Sequence, residues 1–305
     1  MNSCDNILFP SYFKYISTTD LIVSCGIACY IHEFEYAGKI FCFPNGRGVA
    51  VYTDLLNDLG ILYNELNYTD LMKFKDECDK IFVLCPKAFM DKPKNINKEI
   101  VQISTSYSMY KVIKISESEL HLSLFESKPF VLCYEDIERL STISKVKPWG
   151  FSLRFVYVNK TQERITKPAI LANMKSNLKK SIQADTCFSF EHKDLLTFAG
   201  DGFYAKFIDI INNYDNMHPL QQSLFKSTFS IGSSYFFRKE FAQALSEYGV
   251  VPDWVVNSLS QAGDNWRSIG RILNLQKSIN VIEIEKLIRT IMNLEKPAFD
   301  FLCNI

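Results

Sequence analysis

The stretch VSCGIACYIHEFEYAG, residues 23–38, decides how the start of the chain is interpreted. Ser24 is a candidate N-cap, and Gly38 stands where a helix would be expected to stop. Between them, apolar side chains recur at helical spacing, at Ile27, Tyr30, Ile31 and Phe34. The pattern therefore predicts a helix from Cys25 to about Ala37, with the thiol of Cys25 in its first turn.

Cys25 has two interpretations that this pattern leaves open. In the first turn of a helix, the helix dipole and the unpaired backbone N–H groups would stabilise a thiolate, which makes Cys25 a candidate nucleophile. Free cysteine is also among the most buried residue types, so Cys25 could be a small packing residue instead. Cys29, one turn further on the same face, lacks the dipole and is expected to pack.

A cysteine nucleophile needs an imidazole within hydrogen-bond reach, and the sequence does not indicate one. On the predicted helix, seven residues separate His32 from Cys25, a distance of about 10 Å. His121 lies in a predicted short helix, His192 just precedes one, and His218 lies in a turn before a proline. Each of these three histidines is typical of a surface or capping position.

Composition limits the broad class of the protein. Its 305 residues are enough for two ordinary domains, and Lys plus Arg and Asp plus Glu number 34 each, so no basic surface for nucleic acid is expected. The first residues do not form a secretory signal, and no apolar run is long enough to span a bilayer. Nine cysteines at irregular spacing suit a reducing compartment. We therefore expect a cytoplasmic protein that does not bind membranes.

Motifs for bound cofactors are not found in the sequence. It contains neither a GxGxxG nor a GxxxxGK[ST] phosphate loop, and no CxxC or HxxxH pair that would hold a metal ion. We expect no cofactor and no metal site.

Hydrophobic patterning changes along the chain and predicts an α+β protein with two domains, 1–167 and 168–305. Ser116 and Glu119 form a capping box that predicts a short helix in the first domain. Predicted strands of this domain include KIFCF (39–43), ILYNEL (61–66), KIFVLC (80–85), MYKVIKI (109–115), PFVLCYE (129–135) and FSLRFVYVN (151–159). From Pro168 onward the apolar period is 3.6, which predicts an all-α second domain.

The helix that contains NMKSNLKKSIQ, residues 173–183, has two distinct faces. Its apolar face carries Met174, Leu178 and Ile182, and its basic face carries Lys175, Lys179 and Lys180. The basic face could meet an acidic protein such as a carrier domain, or it could be an ordinary solvated helix face.

These parts together resemble the butirosin-biosynthesis H-like family. The spacing of Cys25 and Gly38 is similar to that of the family's first helix, and SKPFVLCYED (127–136) and FSLRFVYVN (151–159) resemble its strands. Segments 198–214, 229–249 and 264–273 are similar to the helical C-terminal domain, with Arg238, Trp266 and Arg267 in register.

The resemblance implies a papain-like, C39-like N-terminal domain followed by a helical domain. It further implies acyl or aminoacyl transfer from a carrier-protein thioester to a small amine, with Cys25 as nucleophile and Arg238, Trp266 and Arg267 among the residues that bind substrate or partner. The family's histidine is expected near Phe151, where none occurs, and the orienting acid is replaced by Thr166 and Lys167. The alternative is therefore an inactive papain-like homologue that binds a carrier protein or a catalytic paralogue.

Overall fold

The computed structural model describes residues 17–36, 38–47, 60–86, 107–123, 130–138, 153–160, 165–182, 196–231, 234–275 and 279–305. The protein is a mixed α+β protein with antiparallel sheets and a helical C-terminal region. It divides into two compact units, unit 1 (1–18 and 52–165) and unit 2 (19–51 and 166–305).

Helices and strands are numbered here in chain order. The strands are β1 (Ile27–Tyr36), β2 (Lys39–Arg47), β3 (Leu62–Leu66), β4 (Ile81–Pro86), β5 (Tyr107–Ile115), β6 (Glu119–Ser123), β7 (Phe130–Cys133), β8 (Arg154–Lys160) and β9 (Leu196–Ala199). The α-helices are α1 (Thr18–Cys25), α2 (Lys167–Ile182), α3 (Gly200–Asn212), α4 (Pro219–Ile231), α5 (Ser234–Tyr248), α6 (Asp253–Leu275) and α7 (Val281–Asn304). Two 3₁₀ helices cover Tyr68–Lys80 and Tyr214–Asn216. Within the described residues, no helix combines the length and the hydropathy that crossing a bilayer requires.

Unit 1 contains a six-stranded antiparallel sheet in the order β3-β8-β4-β5-β6-β7. Within the described residues, the strands predicted at 61–66, 80–85, 109–115, 129–135 and 151–159 are confirmed as β3, β4, β5, β7 and β8. Their β-branched and aromatic residues alternate toward one buried face. That face and the 3₁₀ helix Tyr68–Lys80 enclose a core that includes Leu71, Val83, Val112, Leu120, Leu132 and Phe155. Phe151 lies outside the described residues.

The helix predicted from the capping box of Ser116 and Glu119 is wrong. Ser116 Oγ does accept a hydrogen bond from the Glu119 backbone N–H at 3.2 Å, as a capping box requires. The Ser116 N–H, however, donates to the Glu119 carbonyl at 3.0 Å, which closes a tight turn between β5 and β6. The alternating residues that follow, with Leu120 and Leu122 buried and His121 half-buried, then pair as a strand.

Unit 2 combines the helices with a three-stranded antiparallel sheet in the order β2-β1-β9. The predicted helical stripes are confirmed: Phe237, Phe241 and Leu245 on α5 and Trp266, Ile269 and Leu273 on α6 are buried. The prediction that everything after Pro168 is helical is wrong at β9, a four-residue strand that pairs with β1. Four residues are too few for a periodic signal in the sequence.

The helix predicted from Cys25 to Ala37 is also wrong. Helix α1 ends at Cys25, and Gly26 follows with φ of 62°, the left-handed conformation that ends many helices. Its N–H bonds the Val23 carbonyl at 3.1 Å, and the chain continues as β1. Because α2, α3 and α5 pack against β1, its buried residues lie on both faces, namely Ile27, Cys29, Tyr30, Ile31 and His32. A strand buried on both faces shows no alternation, so its apolar residues can match a helical period by chance.

The predicted domain boundary at 167/168 lies close to residue 166, where the long second segment of unit 2 begins. The N-terminal segment 19–51 nevertheless belongs to unit 2, since β1 is the central strand of its sheet. Each unit is therefore built from two separate segments of the chain.

Replacing Gly26 by Ala should destabilise the protein by about 1–2 kcal/mol, the cost of a left-handed conformation for an L-residue. An added Cβ would meet α2 only at ordinary contact distances, 3.6 Å from the Met174 carbonyl oxygen, so strain and not a clash sets the cost. Gly202, in helix α3 with open space at its Cβ, is the control: Gly202→Ala should stabilise by about 0.5–1 kcal/mol. Urea denaturation measures both, and equal effects of the two substitutions would contradict the left-handed stop at Gly26.

Candidate functional site

Cys25 lies at the end of α1, opposite to the position that favours a thiolate. The last turn of a helix presents carbonyl groups and a partial negative charge, which disfavour an anion. The side-chain amide of Asn177 donates to the Ser24 carbonyl at 3.0 Å, and that of Asn173 donates to Ser24 Oγ at 3.4 Å. The Asn177 amide thus caps a carbonyl of the last turn of α1, and Cys25 lies at the end of this helix that does not stabilise an oxyanion.

The described histidines have partners elsewhere. His32 lies on β1, five residues after Ile27, so about 17 Å of extended strand separates His32 from Ile27. It is fully buried, with Nδ1 3.0 Å from Thr197 Oγ1, and burial lowers the pKa of His32 to about 3. His121, in unit 1, lies 2.7 Å from Glu119 Oε1, and His218 Nδ1 accepts from the Leu220 N–H at 3.2 Å. His192 lies outside the described residues.

Among the described residues of unit 2, a group of polar side chains meets in the interior. Five residues from five different elements meet there, and none is more than 3% exposed. We call this group the buried Arg–Glu centre; it consists of Cys29 of β1, Tyr204 of α3, Arg238 of α5, Trp266 of α6 and Glu295 of α7.

The carboxylate of Glu295 accepts hydrogen bonds from every other member. Arg238 Nε donates to Oε1 at 2.7 Å, and Trp266 Nε1 donates to the same oxygen at 3.0 Å. Tyr204 OH donates to Oε2 at 2.6 Å, and Cys29 Sγ donates there at 3.4 Å. Arg238 Nη2 also donates a hydrogen bond to Cys29 Sγ at 2.8 Å, which completes the network. A buried carboxylate held by this many donors is fully compensated.

The electrostatic environment keeps Arg238 and Glu295 charged and the Cys29 thiol neutral. Burial alone would raise the pKa of Glu295, but the Arg238 guanidinium and the hydrogen bonds from Arg238, Tyr204 and Trp266 hold it below its ordinary value. Burial raises the pKa of the Cys29 thiol to about 12, although Arg238 acts in the opposite direction. Cys29 is therefore an unreactive thiol near neutral pH.

The family resemblance singled out Arg238 and Trp266 as binding residues, and the structure places both in this centre. With 0% exposure, neither side chain can touch a partner docked on the surface of unit 2. Arg267, the next residue on α6, is half-buried. Sequence reasoning missed Cys29, Tyr204 and Glu295 as members. Glu295 carried a signal, because it falls on the apolar stripe of α7 with Ile284, Ile288, Ile291, Ala298 and Leu302.

Helix α2 has the two faces predicted for it. Met174 and Leu178 are fully buried, whereas Lys175 is half-buried and Lys179 is exposed. Among the described residues neither lysine has an ion-pair partner, in contrast to exposed lysines such as Lys239, which pairs with Asp264 at 2.7 Å. The side chain of Lys180 is not among those described.

Helix α2 packs against α7. Burial raises the pKa of the Cys303 thiol, whereas the charges of Lys179 and Lys175 lower it and that of Asp300 raises it. Lys175 and Lys179 are four residues apart on α2 and therefore lie on one face of that helix. We call Lys175 and Lys179 the α2 lysine pair.

Comparisons with known proteins add no assignment. No protein-family model matches the chain, and no curated protein matches it significantly. The resemblance to the butirosin-biosynthesis H-like family stays a prediction.

The Arg238→Met substitution should destabilise the protein by about 3–5 kcal/mol, because it leaves the Glu295 carboxylate buried without its cation. Lys296→Met is the matched control: Lys296 pairs with Asp201 at 2.7 Å, but both side chains are exposed, so about 1 kcal/mol or less is expected. Removing both charges, in Arg238→Met with Glu295→Leu, should recover a large part of the loss. Urea denaturation gives the free energies, and similar losses for Arg238→Met and Lys296→Met would show that the centre is not structurally important.

Alkylation by iodoacetamide should separate the two cysteines. At about pH 7, Cys25 should react no faster than an ordinary peptide thiol, since the end of α1 does not favour a thiolate. Cys29 should stay unlabelled until the protein unfolds, because it is buried and neutral. Peptide mass spectrometry identifies the labelled residue, with Cys25→Ser as the control. Fast labelling of Cys25 well below pH 8 would contradict this prediction and support Cys25 as a nucleophile.

Proposed function

We propose that the protein is a binding protein, without catalysis by Cys25, that docks an acidic carrier-type protein through the α2 lysine pair. The observation that carries this proposal is that Lys175 and Lys179, four residues apart, lie on one face of α2 and have no ion pair among the described residues. This is the alternative that the sequence raised, an inactive homologue that binds a carrier protein or a paralogue.

Two like charges four residues apart on a helix repel each other, at a cost of a few tenths of a kcal/mol. Some exposed lysines of unit 2 pair with acids, as Lys296 does with Asp201. The α2 lysine pair is therefore a local positive field on a protein with no net charge. Such a field attracts and orients an acidic partner, with an effect that salt screens.

Catalysis by Cys25 has less support. The acyltransferase prediction, with a small amine as acceptor, required a thiol at a helix N-terminus, and Cys25 lies at a helix C-terminus. The antiparallel sheet of unit 1 supports a papain-like first domain. The helix that the family resemblance implies after Cys25 is, however, replaced by strand β1. The proposed binding role needs neither feature, and it suits the cytoplasmic location expected from the sequence.

Reversing the charges in Lys175→Glu with Lys179→Glu should weaken binding of an acidic acyl carrier protein about tenfold or more. It should also flatten the salt dependence measured by fluorescence anisotropy between about 50 and 300 mM salt. The control is Lys286→Glu with Arg289→Glu, which makes the same charge change on an exposed part of α7 that lies about 21 Å along the helix from Cys303.

Cys25→Ser should bind as the wild type does. Equal loss of binding in both charge-reversed variants would mean a non-specific charge effect. Wild-type protein that does not bind the carrier protein at low salt would overturn the proposal.

A further inference from the structure

Strand β7 is an edge of the six-stranded sheet of unit 1. Within the described residues it pairs with β6 on one side and with no strand on the other. The N–H of Tyr134, just after β7, donates to the Ser118 carbonyl at 3.0 Å, which fixes the hydrogen-bonding phase of the two strands. Because hydrogen-bonded pairs alternate along antiparallel strands, the backbone N–H and C=O groups of Val131 and Cys133 point away from β6. An edge of this kind is a template for one more strand.

The side chains along this edge offer two different positions. Val131 is 43% exposed and lies opposite His121 on β6. Cys133 lies opposite Glu119, and its thiol donates to Asp136 Oδ2 at 2.9 Å. The side chains of residues two apart on a strand lie on the same face of the sheet. On that face, an added strand would therefore meet an apolar side chain at Val131 and carboxylates at Cys133.

The chain around β7 is acidic, although the protein as a whole carries no net charge. Residues 116–139 contain six acidic and two basic side chains. Glu117 and Glu135, each close in sequence to a residue that pairs at the end of β7, are exposed and form no ion pair among the described residues. In the sheet, Lys111 and Lys114 lie on β5, which β6 separates from β7. The local charge is therefore negative and complements a basic partner.

We propose that β7 binds an extended peptide segment of a partner protein as an added strand, with an apolar residue beside Val131 and a lysine or arginine beside Cys133. Main-chain hydrogen bonds supply affinity in this mode of recognition, and the side-chain positions supply selectivity. The expected signature is an apolar and a basic residue separated by one residue. A second copy of this chain fits poorly, because two acidic edges repel each other. The inference concerns unit 1 and does not depend on the α2 lysine pair.

A fluorescein-labelled peptide, Thr-Lys-Thr-Val-Thr-Lys-Thr, tests the site because it carries the signature in both chain directions. Fluorescence anisotropy at low salt should show binding, and the peptide with Glu in place of Lys should bind about tenfold more weakly or less. Glu119→Gln with Asp136→Asn removes two charges but keeps the hydrogen-bond acceptors, and it should weaken binding of the lysine peptide by about the same factor. The matched control is Asp253→Asn with Asp300→Asn, which neutralises two exposed acids of unit 2 and should bind as the wild type does.

Methylation of the peptide backbone separates strand addition from simple charge attraction. Alternate N–H groups of a strand face opposite edges, so only one of the two alternate sets can bond to β7. N-methylation of one set should abolish binding, and N-methylation of the other set should leave it unchanged. The protein stays wild type in this experiment, so a folding defect cannot produce the result. Equal effects of the two methylated peptides would overturn the added strand.

Val131→Pro makes the same test from the side of the protein. It removes an N–H that points away from the sheet, a position in which an edge strand tolerates proline, and far-UV circular dichroism checks the fold. Binding of the lysine peptide should weaken about tenfold or more, whereas Val131→Thr, which keeps the N–H, should bind nearly as the wild type does. A wild-type protein that does not bind the lysine peptide, or that binds the glutamate peptide equally well, would overturn the inference. Neither result touches the proposed function, because carrier-protein binding is measured separately and through unit 2.

Discussion

The buried ion pair of Arg238 and Glu295 is the interaction on which the arrangement of unit 2 depends. Charges with 0% exposure are tolerated only if they face each other and every remaining polar atom finds a partner. Here those partners come from β1, α3 and α6, so five elements must reach one point at hydrogen-bond distance. Hydrophobic packing alone would accept many small shifts between these elements, whereas this network accepts one arrangement. A buried ion pair contributes little net stability, and its main effect is to specify one arrangement of the packed helices and strand.

The same network explains why β1 was the hardest element to predict. Cys29 holds the strand to Arg238 and Glu295, residues that lie more than two hundred positions later in the chain. Local sequence around Cys29 is compatible with a helix, because a strand that is covered on both faces carries no polar alternation. Gly26 was the available local signal. If Gly26 is interpreted as a helix stop instead of an interior residue, α1 ends at Cys25. The Cys25 thiol then lies at the C-terminus of a helix and not at an N-terminus.

Elements with one exposed face could be predicted from the sequence, and so could part of the centre. The stripes of α5 and α6 and the basic face of α2 follow from a 3.6-residue period that tertiary contacts reinforce. A charged residue on a buried stripe, as Glu295 is on α7, indicates that an opposite charge must lie opposite to it. The identity of that partner did not follow, because helix pairing depends on distant contacts that no single window of sequence contains. Tyr204 and Cys29 are ordinary core residue types and carried no polar signal at all.

Charged residues in unit 2 thus act in two separate ways, and burial decides between them. Arg238 satisfies its charge inside the fold, where its guanidinium is available to no external group. Lys175 and Lys179 keep their charges at the surface, where water and salt weaken them but a partner can reach them. Of the charged residues singled out by the family resemblance, Arg238 belongs to the first kind and positions the helices. The residues singled out by their charge pattern belong to the second kind, and the case for binding rests on them.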